Sequence, residues 1–324
     1  MTICYITIDV EYDFGFARRT GAATHEIDFV RSINCVTPHG AAGVEYQMNV
    51  LDRYGLKAVF FVDPMPALIW GVAAIEDIVR PIVARGHDVQ LHIHTEWLNL
   101  AGSKNPLGER VGNNIKDFTV DEQRILLQYA KNVLVAAGAP VPVAFRAGSY
   151  GANDDTLRSL AALGLRYDSS YCPGIASSLC EINLPPGVRT PIEHCGVIEV
   201  PIGCISNGGD RLRHAQITAL SSSEMISALY YARNNGASCF TMVSHSFELM
   251  SRDRLRMNKI VRRRFEKICS SLAQMSGVTT GTYTSHLPCA APHREHAAVL
   301  PFSPLRKGLR IVEQGFSNLL YGSR

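Results

Sequence analysis

Leu91-His92-Ile93-His94-Thr95-Glu96-Trp97 closes an apolar run that begins at Val89, and its alternation decides how the chain is to be folded. In an extended strand, residues two apart share a face, so His92 and His94 offer two imidazoles to one point at the end of a strand. The start of the chain repeats the arrangement with carboxylates: Ile3-Cys4-Tyr5-Ile6-Thr7-Ile8-Asp9-Val10-Glu11-Tyr12-Asp13 puts Asp9, Glu11 and Asp13 on one face. Apolar runs of this kind form central strands of parallel sheets, and α/β folds carry their sites at the carboxyl ends of such strands. Either cluster alone reads equally well as a solvated rim. Their shared position, each at the end of an apolar run, points to one site.

Outward from these segments, strand and helix patterns alternate. A strand over 3–9 is followed by a polar, glycine-containing insertion at 14–43, then helix 44–54, strand 57–63, helix 75–85, strand 88–94, helix 120–137, strand 141–146, helix 154–163 and strand 165–168. After a stretch rich in Pro, Gly and Ser come strand 196–202, helix 223–234, strand 238–245, helix 252–275 and a last strand at 278–283. Gly55 and Gly164 stand where a left-handed C-cap is needed, and Asn153 ahead of Asp154-Asp155 reads as an N-cap. The pattern predicts an α/β protein, either a parallel barrel or a doubly wound sheet. Residues 286–324 read as a proline-containing tail with a short amphipathic stretch at 309–320.

A chain of 324 residues with 46% hydrophobic and 19% charged residues is an ordinary globular composition, sufficient for one large α/β domain or two small ones. A net charge of +3, with no basic stripe in the first 250 residues, argues against a nucleic-acid partner. Arg262-Arg263-Arg264 lies inside a helical pattern and reads as a solvated face. No stretch approaches the roughly 20 apolar residues that span a bilayer, and Met1-Thr2 runs straight into the first strand without an export signal, so a cytoplasmic location is expected. The nine cysteines are odd in number, contain no Cys-x-x-Cys pair and lie in apolar contexts, as at Cys4, Cys239 and Cys269; they read as buried thiols.

Asp9, Glu11, His92, His94, Arg146, Asp168 and His245 all fall at the ends of β-runs. Carboxylates, imidazoles and one guanidinium around a single rim are the inventory for metal-assisted attack of water on a carbonyl. Read one at a time, Arg146 with Asp168 would be a structural ion pair and His245 a core histidine. His87, at a strand entrance, reads as a core residue, and His25, His39, His194 and His214 as loop residues. Trp97 and Tyr150 flank the rim and either line a sugar-sized groove or pack beneath it. The insertion at 14–43, directly after the acidic cluster, suggests a lid or substrate-recognition element.

Five segments, taken in order, resemble the motifs of the polysaccharide deacetylase family, the NodB-like carbohydrate esterases. Thr7-Ile8-Asp9-Val10-Glu11 is similar to the acidic motif, and Gly86-His87-Asp88-Val89-Gln90-Leu91-His92 with Ile93-His94-Thr95-Glu96 to the histidine motif. Phe145-Arg146-Ala147-Gly148-Ser149-Tyr150-Gly151 resembles the arginine motif, Tyr167-Asp168-Ser169-Ser170 the aspartate motif and Val243-Ser244-His245 the final histidine motif. The resemblance spans residues 1–285 and implies a distorted parallel (β/α) barrel with about seven units. It also implies a divalent metal ion, zinc being the expected one, held by Glu11, His92 and His94. Asp9 is then the general base, kept ionised by Arg146, and His245 the general acid, oriented by Asp168; a backbone N–H after the histidine strand serves the oxyanion. Three positions depart from the family pattern. Val10 separates two acids that are commonly adjacent. The second histidine comes two rather than four residues after the first, so Glu96, at the usual place, is the alternative ligand to His94. The proline of the arginine motif is absent, with Gly148 near its place.

The activity so implied is hydrolysis of a carbon–nitrogen bond: removal of an acyl group, expected to be acetyl, from an amino sugar in a glycan precursor, nucleotide sugar or glycolipid. The same residues admit a deformylase or a non-sugar C–N hydrolase. A catalytically silent domain that holds a glycan in its groove is the reading from another class.

Overall fold

The computed structural model describes residues 1–21, 25–290 and 298–322. Its main sheet contains, in chain order, β1 (Thr2–Val10), β2 (Val59–Val62), β3 (Asp88–Ile93), β4 (Ala144–Ala147), β5 (Tyr167–Asp168), β6 (Ile192–His194), β7 (Val197–Glu199), β8 (Cys239–His245) and β9 (Val278–Thr280). In space the order is β8-β1-β2-β3-β4-β5-β7-β6, with β9 also pairing with β1. All neighbours run parallel except the β6–β7 hairpin. β1 is central because every residue from Cys4 to Val10 is buried, and a strand apolar on both faces needs cover on both. The outer edge of β8 is met by irregular chain: Gly203 N–H donates to Thr241 O (2.9 Å), Val243 N–H to Ala215 O (2.9 Å) and Ile217 N–H to Val243 O (3.0 Å). The sheet is thus curled into a distorted half-barrel, as the resemblance implies.

The crossovers are α1 (Val44–Arg53), α2 (Ala73–Ala84), α3 (Val120–Ala136), α4 (Asp154–Ala162), α5 (Ser222–Asn234) and α6 (Lys259–Ala273); α7 (Pro304–Tyr321) follows the last strand. Capping boxes start α3 (Thr119 with Glu122), α4 (Asn153 with Thr156) and α5 (Ser221 with Glu224). Strand alternation divides the core in two. Ile6, Ile8, Phe60, Leu91 and Phe145 pack with the helices on the convex side. Val59, Phe61, Ala144, Tyr167, Val200 and Tyr283 fill the concave side, where Tyr5 stacks on Tyr283 at 5.3 Å.

Several expectations are corrected. The helix predicted at 252–275 starts only at Lys259, where Asn258 caps it. Arg252–Met257 form a turn instead, with Arg254 at φ 58°. The antiparallel strand β6 lies in the stretch read as irregular, and a hairpin of Cys204–Gly208 with Arg211–His214 lies between the strand predicted at 196–202 and the helix predicted at 223–234. Arg264 is not on a solvated face: it is buried and donates to Ile217 O (2.5 Å) and to Glu313 (2.6 Å). Five cysteines are buried thiols, but Cys289 is exposed.

The insertion at 14–43 forms the helix Phe14–Thr20, a short α-helical turn His25–Asp28 running into a π-helical segment Phe29–Ile33, and a small hairpin of Val36–Thr37 with Gly40–Ala41. Arg31 fastens it to Asp13 at 3.0 Å, and Asp28 accepts from Asp13 N–H at 2.9 Å. Positions 22–24 of this insertion, and positions 291–297 and 323–324 of the expected tail, lie outside the described residues. The amphipathic stretch of the tail is α7, longer than expected. Among the described residues no helix is long and apolar enough to cross a membrane.

Phe61 is fully buried, with the Arg146 guanidinium 4.3 Å over its ring. Replacement by alanine is expected to cost about 3–5 kcal/mol of unfolding free energy, the usual loss for a buried aromatic ring, measured as a shift in the urea midpoint at constant slope.

Candidate active site

Register brings the rim together. Asp9 and His245 are paired residues on β1 and β8, and His92 and Arg146 are paired residues on β3 and β4. Because all four strands are parallel, their carboxyl ends meet along one edge. There Asp9, Glu11, His92, His94, Ala147, Ser149, Tyr150 and His245 line a cavity of about 140 Å³. A neighbouring cleft of about 200 Å³ shares Glu11 and His94 and is bounded by Phe14, Gly15, Glu96 and Arg254. The amino end of the insertion therefore borders the site. Of the two flanking aromatics, Tyr150 is half-buried at the cavity, whereas Trp97 is wholly buried against Phe14 and Trp70.

The histidine pair is held in one tautomer. His92 Nδ1 lies 2.7 Å from the Arg146 carbonyl oxygen, which only accepts, so Nδ1 carries the hydrogen and Nε2 presents a lone pair. His94 Nδ1 lies 3.0 Å from Glu96 Oε2, with the same consequence. The two Nε2 atoms stand 3.4 and 2.5 Å from Glu11 Oε2, a buried oxygen without a hydrogen-bond partner. The ligand atoms of Glu11, His92 and His94 all lie within 4.8 Å of one another. Three electron-pair donors meeting without a hydrogen between them require a proton or a metal cation. In the absence of a cation a proton takes that place. Burial pulls the His94 pKa down, but Glu11 and Glu96 carry it well above the ordinary histidine range. Burial likewise pushes Glu11 up, and the two imidazoles hold it well below the usual carboxylate range. Glu96 sits behind the His94 ring, at Nδ1, and not on the face shared with Glu11.

Arg146 is completely buried and organises the other half of the site. Its Nη1 donates to Asp9 Oδ1 (2.6 Å), Nη2 to Thr7 Oγ1 (2.9 Å) and Ser169 Oγ (3.3 Å), and Nε to Ser169 O (3.1 Å). The second oxygen of Asp9 faces His245 Nε2 at 3.9 Å. The other ring nitrogen of His245 stands 3.4 Å from Glu248 Oε1, which also takes hydrogen bonds from Gln216 and from Thr218 (2.8 Å). Burial lowers the His245 pKa, but Glu248, then Asp9 and Glu11, raise it to about 9.

Asp168 does not orient His245. Phe145 is its register partner, and Phe145 faces the helices, so alternation turns Asp168 to the convex side while Ser169 faces Arg146. There Asp168 accepts from Ser170 Oγ (2.8 Å) and N–H (3.1 Å) and meets the side chain of its register partner Glu199 in a hydrogen bond. Burial and the neighbouring Asp168 push Glu199 well above the carboxylate range, so the two acids share a proton.

Two residues of the site escaped the sequence reading. Glu248 comes three residues after His245, past the strand end, and alternation says nothing about a turn. Asp63 closes the β2 run at the same carboxyl edge, a signal that could have found it. It is fully buried, its Oδ1 accepts from Met65 N–H (3.0 Å) and His94 N–H (3.4 Å), and burial lifts its pKa to about 6. The histidines read as non-catalytic keep away from the cavity. His87 is buried, takes Ala58 N–H on Nδ1 (3.3 Å) and is pushed down to about 4 by burial; His194 pairs with Asp154 (3.0 Å).

Acids, imidazoles and a guanidinium thus stand together along the carboxyl edge of a curled parallel sheet. Residues 39–167 match the family model for polysaccharide deacetylase, the family whose motifs the sequence resembles. The match holds the histidine and arginine motifs; Asp9, Glu11 and His245 lie outside it and join the site through the fold. A protein from Mycobacterium smegmatis described as a polysaccharide deacetylase superposes with a TM-score of 0.53 at 17% identity, covering 87% of this chain and 88% of that one. A 4-alpha-glucanotransferase from Thermococcus litoralis superposes with a TM-score of 0.51 at 12% identity, over 87% of this chain and 39% of that one. At these identities the likeness is one of fold, and the chemistry is argued from the site. No curated protein matches the chain.

A Cβ at Gly148 would stand 2.7 Å from Ile93 O and 2.8 Å from the His94 ring. Gly148→Ala is therefore expected to displace His94, and in a calorimetric titration with a divalent cation to lower the affinity by about 10- to 100-fold relative to the parent, the range seen when a ligand's support is disturbed.

Proposed function

We propose that the chain is a metal-dependent amide hydrolase that removes an acyl group, in the first instance acetyl, from an amino sugar in a glycan precursor, nucleotide sugar or glycolipid. The observation that carries this reading is the convergence of His92 Nε2, His94 Nε2 and a buried Glu11 oxygen lacking a hydrogen-bond partner, next to a carboxylate paired with a buried arginine. Zinc suits two imidazoles and one carboxylate, a three-ligand set that leaves a position open. A divalent cation at these ligands supplies Lewis acidity, lowering the pKa of a water from about 15.7 towards about 7 and polarising the acyl carbonyl.

The remaining work falls to the chain's own groups. Asp9, held in place by the Arg146 guanidinium at 2.6 Å, takes a proton from the attacking water. The water oxygen bonds to the carbonyl carbon, the C–N bond breaks, and His245 gives its proton to the departing nitrogen. The products are a carboxylic acid and a free amine. Glu248 fixes the His245 ring and keeps it protonated, the part the resemblance assigned to Asp168. A cavity of about 140 Å³ admits an acyl group and the adjoining atoms of a sugar, while the cleft beside it leaves room for the rest.

Purified chain is expected to retain a divalent ion by elemental analysis and to release amine from N-acetylated sugars or sugar nucleotides. His92→Ala should lose the metal, and Asp9→Asn should keep it while kcat falls by at least about 100-fold, the lower range for a general base. A chain that binds no divalent ion under any condition would sink the hydrolase reading.

The pH profile tests the acid. His245 must be protonated to act, so kcat/KM is expected to fall as pH rises through about 9. Glu248→Gln removes the charge that stabilises the imidazolium, and the alkaline limb should move to lower pH. An unmoved limb would separate Glu248 from the acid's titration.

A further inference from the structure

α7 is an amphipathic helix turned inside out. Its polar face is the one packed on the domain: buried Arg310 donates to buried Glu224 (3.1 Å) and to Asn207 (3.3 Å), Glu313 receives Arg264 (2.6 Å), and Ser317 receives Asn258 (3.0 Å). The opposite face is apolar and open. Leu305, Leu309, Val312, Phe316 and Leu319 recur at alternating steps of four and three, one stripe along the helix, and are between 57% and 81% exposed. From Leu305 to Leu319 the stripe runs about 21 Å along the helix. A soluble monomer does not ordinarily expose a contiguous apolar face of this length, and such a face marks an interaction surface.

The charge around the stripe identifies the partner. Residues 252–267 and 304–322, the turn and helix that carry α7 together with α7 itself, contain eleven Lys and Arg against three Asp and Glu, in a chain whose net charge is only +3. The three acids are all engaged, Asp253 by Ser251 (2.5 Å) and Leu255 N–H (3.0 Å), Glu266 by Arg262 and Tyr46, and Glu313 by Arg264. Exposed Arg252 and Arg256 form no ion pair among the described residues and flank the carboxyl end of the helix. Arg252 N–H donates to Tyr321 O (3.0 Å), and the Arg256 guanidinium lies 6.0 Å from the Tyr321 ring. Exposed Leu255 stands between them, and Lys307 lies at the other end, 5.5 Å over Phe302.

We propose that α7 is an interfacial anchor that lays this apolar stripe into the surface of an anionic lipid bilayer, with the basic residues at both ends of the helix meeting the headgroups. A helix of this kind lies in the plane of the interface and does not span it. The inward-facing ion pairs hold the stripe outward, so the surface is ready without rearrangement. The anchor is independent of the hydrolase reading, and its test does not pass through activity.

The full chain is mixed with vesicles of phosphatidylcholine, alone or with phosphatidylglycerol, and recovered by flotation. It is expected to float with the phosphatidylglycerol vesicles, less so as salt is raised, and only weakly with phosphatidylcholine. Leu309→Ser with Phe316→Ser should lower partitioning by at least about tenfold with an unchanged unfolding midpoint, since two exposed side chains contribute to insertion and not to the fold. Leu305→Ser, at the first turn, is the milder variant if the pair perturbs folding. Arg252→Glu with Arg256→Glu should abolish the preference for phosphatidylglycerol. Absence from both vesicle fractions, or a stripe variant that floats like the parent, would overturn the proposal. A dimer in sedimentation velocity that depends on the same stripe would also overturn it, because a second copy of the chain would then cover the face.

Discussion

A guanidinium with no access to solvent is the interaction on which the site depends. Removing Arg146 from water costs several kcal/mol unless its charge and its hydrogens are all met, and here they are met by Asp9, Thr7 and Ser169, with the Phe61 ring beneath. These partners come from β1, from β2 and from the chain just after β5, so the arginine on β4 ties strands on both sides of it together at their carboxyl ends. Its own carbonyl receives the Nδ1 hydrogen of His92. One residue therefore fixes the orientation of the acid on β1 and the tautomer of the imidazole on β3. Removing a partner leaves a buried charge uncompensated, which makes the cluster a constraint on the fold as much as on the chemistry.

The two ends of the site are built differently. The Glu11, His92 and His94 corner is a set of acceptors aimed at one another, and its ring nitrogens are oriented from behind by a carbonyl and a carboxylate. In the Asp9 and His245 corner a ring that can carry a proton stands between two carboxylates, Asp9 and Glu248. The first arrangement calls for a cation and the second moves a proton, and only an edge where parallel strands end in register sets them side by side.

Much of this was legible in the residues. β1, β2, β3 and β8 were anticipated closely because each is a buried apolar run, and their terminal polar residues could be read as one rim before any tertiary information. Irregular stretches were not legible. The β6 strand and the Cys204–Gly208 hairpin are short segments with polar residues and glycines, without the buried apolar run that marks the central strands. The helix predicted from Arg252 begins seven residues later, because its apolar period continues into a turn that Asn258 terminates. The polarity of α7 was legible, but not its direction: a stripe of leucines at helical spacing reads as a buried face, and the buried Arg310–Glu224 pair turns it outward.

Asp168 and Glu248 mark the boundary between the two kinds of information. From the sequence alone follow the parallel α/β architecture, the shared face of His92 and His94, and the approach of Asp9 and His245 at one edge, because these rest on a period of two within single strands and on the burial of whole runs. Which face of β5 looks into the curl, and which acid stands behind His245, follow from how neighbouring strands register and how the chain turns after β8. Those are relations between segments far apart in the chain, held by hydrogen bonds that no local pattern encodes, and only the folded structure decided them.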